Sequence, residues 1–124
     1  MTDLDTLRDA LIRFRDERNW QQFHTLKNLI VSVSLEASEL LELTQWKTDE
    51  ELVQLKADES FRQQLKDECA DVLMYLLLVA NEAGIDLAAA TREKMARNAQ
   101  RYPVEASYGL ARKYMERERK DGQS

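Results

Sequence analysis

Apolar residues recur at helical spacing along most of this chain, and no stretch alternates as a strand would. Leu4, Leu7, Leu11 and Phe14 share one face of a first helix, which Thr2 or Asp3 can cap and which runs to about Arg18. Asn19-Trp20-Gln21-Gln22-Phe23-His24 reads as a connector. A second helix starts near Thr25 and reaches about Trp46, with Val33, Ala37, Leu40 and Leu41 in helical period. Thr48-Asp49-Glu50-Glu51 reads as a cap with acids in the first turn of a short helix. After a break at Ala57-Asp58-Glu59-Ser60, a third long helix runs from about Ser60 to Glu82 and stops at Gly84. Asp86 can cap a fourth, which ends before Pro103. Arg112 to Lys120 reads as a charged helix or a tail. The pattern predicts an all-α protein.

Composition narrows the class. A chain of 124 residues is a single domain's worth, 1–124, with a modest core that a partner copy can complete. Three Gly and one Pro leave few helix breakers. A net charge of −5 argues against a protein that coats nucleic acid. The lone Cys69 excludes an intramolecular disulfide and a cysteine zinc cluster, and reads as a small buried apolar side chain. The acidic start Met-Thr-Asp-Leu-Asp lacks the basic opening of a secretory signal, and the apolar run Cys69–Ala80 is too short to cross a bilayer. A cytoplasmic protein with no membrane contact is expected.

Two carboxylate couplets break the apolar pattern: Glu36-Ala-Ser-Glu39 and Glu68-Cys-Ala-Asp71. At about 100° per residue, Glu36 falls between Leu29 and Leu43 inside the apolar sector of the second helix. Glu39 lies at the edge of that sector and Glu42 on the opposite face. Asp71 is the only charge between Cys69 and Ala80, on a helix apolar nearly all round and therefore expected to be buried. Glu68 and Tyr75 lie one turn to either side of Asp71. Such acids can pair with Lys or Arg. Two couplets on apolar surface point instead to a divalent cation, because an unpaired buried carboxylate is costly. Oxygen ligands without a thiol cluster favour Mg²⁺, with Mn²⁺ as a substitute, over Zn²⁺. A Mg²⁺ site commonly shares its ion with substrate phosphates, and the ion suits hydrolysis.

Four blocks in order carry a resemblance. They are Trp20-Gln-Gln-Phe-His24 with Lys27-Asn-Leu29; Glu36-Ala-Ser-Glu39 through Gln45-Trp46; Glu68-Cys-Ala-Asp71 through Tyr75; and Ile85-Asp-Leu87 with Lys94, Asn98 and Arg101-Tyr-Pro-Val104. Together they resemble the MazG-like branch of the all-α NTP pyrophosphatases, nearest the dCTP pyrophosphatase type. The resemblance implies a four-helix-bundle-like fold completed by oligomerisation, as a homodimer or homotetramer. It implies hydrolysis of a nucleoside triphosphate to monophosphate and pyrophosphate, with Glu36, Glu39, Glu68 and Asp71 as Mg²⁺ ligands. Three positions depart from it. Ser34-Leu35 stands where the family often has Gly before the first metal Glu, and Leu26 where it often has Pro. Leu11 stands where some dCTP-preferring relatives carry a His, which leaves base selectivity open.

Further roles follow. Trp20 and Trp46 can stack on a base or wall a pocket, or simply pack in the core. Tyr75 can bond a phosphate or the sugar, or equally be a buried Tyr with a satisfied hydroxyl. Lys94, Asn98 and Arg101 share one side of the fourth helix and can meet phosphate, although such a pattern also suits a solvated face. His24 is read as bonding locally and not as the general base. Glu39, with Glu36, is assigned the catalytic part, Glu39 taking a proton from water. The expected activity is cleansing of the nucleotide pool of dCTP or another pyrimidine dNTP. Two alternatives are the same chemistry on a modified purine or other pyrophosphate-bearing metabolite, and a non-catalytic helical module that binds nucleotide.

Overall fold

The computed structural model describes residues 2–110, so the charged helix or tail expected beyond about residue 110 lies outside the described residues. The elements are α1 (Asp3–Glu17), a short 3₁₀ turn (Gln21–Phe23), α2 (Leu26–Glu42), α3 (Asp49–Leu55), α4 (Glu59–Ala83), α5 (Leu87–Arg101) and α6 (Val104–Ser107). There is no strand among the described residues, so the chain is all-α as expected. No single described helix is long and apolar enough to cross a membrane.

Side-chain oxygens start the helices. Asp5 N donates to Thr2 Oγ1 (3.1 Å) and Thr2 N to Asp5 Oδ2 (3.0 Å), a reciprocal capping box. Thr25 accepts from Asn28 N, Thr48 from Glu51 N and Asp58 from Phe61 N, each satisfying an amide that the helix leaves without a partner.

Two helices end alike. At α1, Asn19 takes a left-handed φ of 54°, Trp20 N donates to Arg15 O and Asn19 N to Asp16 O. At α4, Gly84 has φ 69°, Ile85 N donates to Ala80 O and Gly84 N to Asn81 O. These are the paired bonds of a left-handed helix stop, which Gly adopts freely and Asn tolerates. The α1 stop directs Trp20 back onto Phe14, with ring centroids 5.8 Å apart in an edge-to-face arrangement.

The end of α2 corrects the sequence reading, which carried the helix to Trp46. The helix stops at Glu42. Leu43, Thr44 and Gln45 bond three residues back instead of four, and Thr44 Oγ1 also donates to Leu41 O. Trp46 then turns to φ 68°. The apolar period continued past the stop with no Gly or Asn to mark it.

The chain divides into two compact units, Met1–Leu87 and Ala88–Ser124. In the first, α4 packs most extensively on α2 and next on α1. The buried apolar residues are Leu29, Phe61, Leu77, Leu78 and Ala80. The expectation that α4 is covered all round does not hold within one chain. Among the described residues only α1 and α2 pack broadly on it, and Met74 and Leu76 are exposed, as is Cys69, read above as buried. In the second unit, α5 ends at Arg101, two residues before Pro103, whose ring then opens α6.

Candidate metal centre and adjoining cavity

Facing helices assemble the acids. α2 carries Glu36 and Glu39 one turn apart, and α4 carries Glu68 and Asp71 likewise. The most extensive packing in the first unit is between these two helices, and both couplets come together there. One carboxylate oxygen from each of the four residues lies within 4.8 Å of all the others. Glu39 is the exposed member, and the other three are partly buried. Glu42 is exposed and stands outside the cluster, as the helical wheel requires.

The electrostatics of this cluster are unfavourable as the protein alone provides them. Glu36 Oε2 and Glu68 Oε2 are buried and have no hydrogen-bond partner. Among the described residues none of the four acids takes part in an ion pair, since the ion pairs formed by Arg8, Arg15 and Arg18 use other acids. Burial pushes the Glu36 carboxyl up to about 7, helped by the bonded and charged Glu39 carboxyl and by the charges of Asp71 and Glu68. Burial, with Glu39, Asp71 and Asp67, raises Glu68 as well. Orphaned buried oxygens inside a four-carboxylate cluster fit a hard divalent ion, which would satisfy them and offset their mutual repulsion.

A cavity of about 190 Å³ opens beside the acids, with Glu36 and Asp71 at one end. Phe14, Trp20 and Tyr75 give it aromatic walls, and Leu11, Met74 and Leu78 apolar ones. Arg15 and His24 are its remaining polar residues. Apolar and aromatic lining with a few polar groups is the usual constitution of a small-molecule site.

Of the residues singled out by sequence, Glu36, Asp71, Trp20 and Tyr75 therefore meet in one place, joined at the acid cluster by Glu39 and Glu68. Trp46 does not line the cavity; it is 91% exposed on the turn after α2. Lys94, Asn98 and Arg101 are exposed on α5, in the second unit. His24 departs from its reading as locally bonded, because Nδ1 is buried and has no partner. Arg15 was missed. A signal existed: at about 100° per residue it falls only about 20° from Leu4, beside the apolar stripe of α1.

Comparison with known proteins fits this geometry. Residues 31–116 match the MazG-like family. The chain belongs to the MazG-like family. This MazG-like chain is 41% identical over 111 residues to dCTP pyrophosphatase 1 of Rattus norvegicus, covering 90% of the chain and 65% of that protein. It is 39% identical over 113 residues to dCTP pyrophosphatase 1 of Homo sapiens, covering 91% of the chain and 66% of that protein. It thus spans about two thirds of the length of these relatives. A crystal structure of a pyrophosphatase from Archaeoglobus fulgidus superimposes with a TM-score of 0.76 at 38% identity, covering 83% of this chain and 94% of that one.

Proposed function

We propose that this protein is a Mg²⁺-dependent nucleoside triphosphate pyrophosphohydrolase that converts dCTP, or another pyrimidine deoxynucleotide, to the monophosphate and pyrophosphate. The observation that carries this reading is the cluster of four acids, two with orphaned buried oxygens, opening onto an aromatic cavity. The acids suit a metal–triphosphate and the cavity suits a base. The names of the relatives support the same reaction. Mn²⁺ would substitute for Mg²⁺ at such an oxygen site. The reaction would serve to clear the nucleotide pool in the cytoplasm.

An ion held by Glu36, Glu39, Glu68 and Asp71 would supply charge neutralisation for the triphosphate and acidify water. Glu39, the exposed acid, takes a proton from the attacking water. The water oxygen forms a bond to the α-phosphorus in line as the bond from that phosphorus to the bridging oxygen breaks. Pyrophosphate leaves with the electron pair. Glu36, with one oxygen buried, holds the couplet in register for this transfer. Trp20 and Tyr75 place the nucleoside. Lys94, Asn98 and Arg101 are proposed to meet phosphate. A homo-oligomer would cover the exposed Leu35, Leu41 and Trp46, and Trp46 would then reach a neighbouring copy's substrate.

The test is a panel of nucleotides with Mg²⁺ and identification of the products. Monophosphate and pyrophosphate in equal amounts are expected, with dCTP turned over best. Inorganic phosphate in place of pyrophosphate rejects the proposed bond, and no turnover of any triphosphate rejects the enzyme.

A further inference from the structure

Arg15 is the one buried charged residue among the described residues, 6% exposed, and the proposed reaction makes no use of it. Its Nε donates to Asp16 Oδ1 at 2.9 Å, and Nη2 lies 2.9 Å from the same oxygen in an ion pair. Asp16 is itself half exposed. A guanidinium carries five N–H donors, and no other acceptor among the described residues engages this one. Asp16 thus fixes the plane of the fork and leaves donors over in a side chain that lines the cavity. Arg15 O also accepts from Trp20 N, so the same residue sets the aromatic wall beside it.

His24 enters the cavity from the connector, with Nδ1 buried and unpartnered. Burial and the Arg15 charge hold the imidazole below the usual histidine range against an opposing pull from Glu82, which keeps it neutral at pH 7. A neutral imidazole has one acceptor nitrogen. Leu11, one turn before Arg15, and Leu78 bring no polar side-chain atom to the chamber. Beside the Glu36 and Asp71 carboxylates already assigned to the ion and the Tyr75 hydroxyl, it therefore offers stacking surface, one cation that only donates, and one imidazole nitrogen that can accept.

We propose that Arg15 and His24 read the edge of a cytosine base, Arg15 donating to O2 and N3 and His24 Nδ1 accepting from the exocyclic amine. The inference rests on the proposed function and names the residues that select its substrate. Among the bases, cytosine alone presents two adjacent acceptors followed by an amine donor. Uracil and thymine turn N3 into a donor facing Arg15 and replace the amine with a carbonyl facing His24. Guanine turns N1–H toward Arg15, and adenine has a C–H in place of the second acceptor. A site built to bond polar groups rejects analogues that leave those groups unpaired. Asp16 is a positioning residue that acts through Arg15.

The experiment is steady-state kinetics of the full chain with dCTP, dTTP, dATP and dGTP, comparing wild type with Arg15→Met, His24→Gln and Asp16→Asn. Losing hydrogen bonds to a charged group corresponds to roughly 10- to 150-fold in affinity. Arg15→Met should raise KM for dCTP by that range at nearly constant kcat, while the dCTP to dTTP ratio collapses toward one. Arg15→Lys should not restore the ratio, because an ammonium lacks the fork. His24→Gln should lower the ratio, and Asp16→Asn should lower it less than Arg15→Met. Equal losses on all four nucleotides would overturn the proposal and make Arg15 a phosphate or packing residue. A wild-type titration needs no folded variant: Trp fluorescence with dCMP and with dTMP should show tighter binding of dCMP, and equal binding rejects the base reading. Selective dCMP binding without triphosphate turnover removes the reaction and keeps the base reading. Turnover with equal kcat/KM for all four nucleotides does the reverse.

Discussion

The two ends of the cavity treat their buried charges in opposite ways. At the acid end, Glu36 and Glu68 each bury an oxygen with no partner, and burial with like charges raises both carboxyls. At the other end Arg15 is more deeply buried than any of the four acids, yet a carboxylate on the adjacent residue holds it. The protein itself supplies the counter-charge at one end, and at the other supplies none, as a site for an ion would require. The difference teaches which end should tolerate change. Removing an acid would delete a ligand of the proposed ion and should destroy turnover. Altering the aromatic and cationic end should change which nucleotide is preferred.

The largest effect follows directly. Asp71→Ala should reduce turnover to background, and chelation of the divalent ion should do the same to the wild type. Helix content by circular dichroism should stay unchanged, because Asp71 makes no capping bond or ion pair among the described residues. A variant with wild-type turnover would remove Asp71 from the site. At the other end, Trp20→Leu should raise KM for the preferred nucleotide about 10-fold, the scale of one lost base–aromatic stacking contact. Its kcat should hold. A fall in kcat with KM unchanged would mean that Trp20 serves the chemistry and not the base.

The sequence was most informative where local physics decides the structure. Thr2, Thr25 and Thr48 cap helices because a hydroxyl can take the amide that the first turn leaves open. Gly84 stops α4 because the left-handed turn costs it little. Glu36 was separable from Glu42 because helical period alone puts them on different faces. What escaped depends on neighbours distant in sequence. The stop of α2 at Glu42 is set by tightened turns that leave no mark in composition. Arg15 lies at the border of an apolar stripe, where a charge ordinarily faces solvent, and its burial shows only in the packed fold. The exposure of Cys69, Met74 and Leu76 on a helix apolar nearly all round shows the same limit. Period says that a face is apolar, and only the packed neighbours say what covers it.

A smaller effect probes the acid end through pH. The Glu36 carboxyl is raised from 4.5 to about 7 in the fold, so the folded protein keeps a proton that the unfolded chain releases. The metal-free protein should therefore lose stability as pH rises from 4.5 through about 7. Glu68, raised as well, adds to the loss in the same direction. The proposed Mg²⁺ would bind the deprotonated cluster, so it should raise the melting temperature more at pH 8 than at pH 5, by a few degrees, since ~1 kcal/mol moves a domain of this size by about that much. Glu36→Gln should flatten both responses in thermal melts. A wild-type protein whose melting temperature ignores Mg²⁺ at both pH values would leave the buried oxygens without the partner assigned to them.

The smallest effect lies outside the site and sharpens the contrast between frame and chemistry. Gly84 sits at φ 69° with open space where a Cβ would be. Gly84→Ala should therefore cost only the backbone strain of the left-handed turn, about 1 kcal/mol in denaturant unfolding. Because Gly84 neither lines the cavity nor neighbours the acids, kcat and KM should remain at wild-type values. The two helix stops can be compared in the same assay. Asn19 holds the equivalent left-handed position after α1, and Asn19→Gly should keep or slightly raise stability, since Gly meets less steric cost there. Yet Asn19 precedes Trp20, whose amide is fixed by that stop. A KM that rises in Asn19→Gly but not in Gly84→Ala, at equal or better stability, would show that the α1 stop orients the aromatic wall while the α4 stop only ends a helix. Equal KM values in both would reduce the α1 stop to a structural cap.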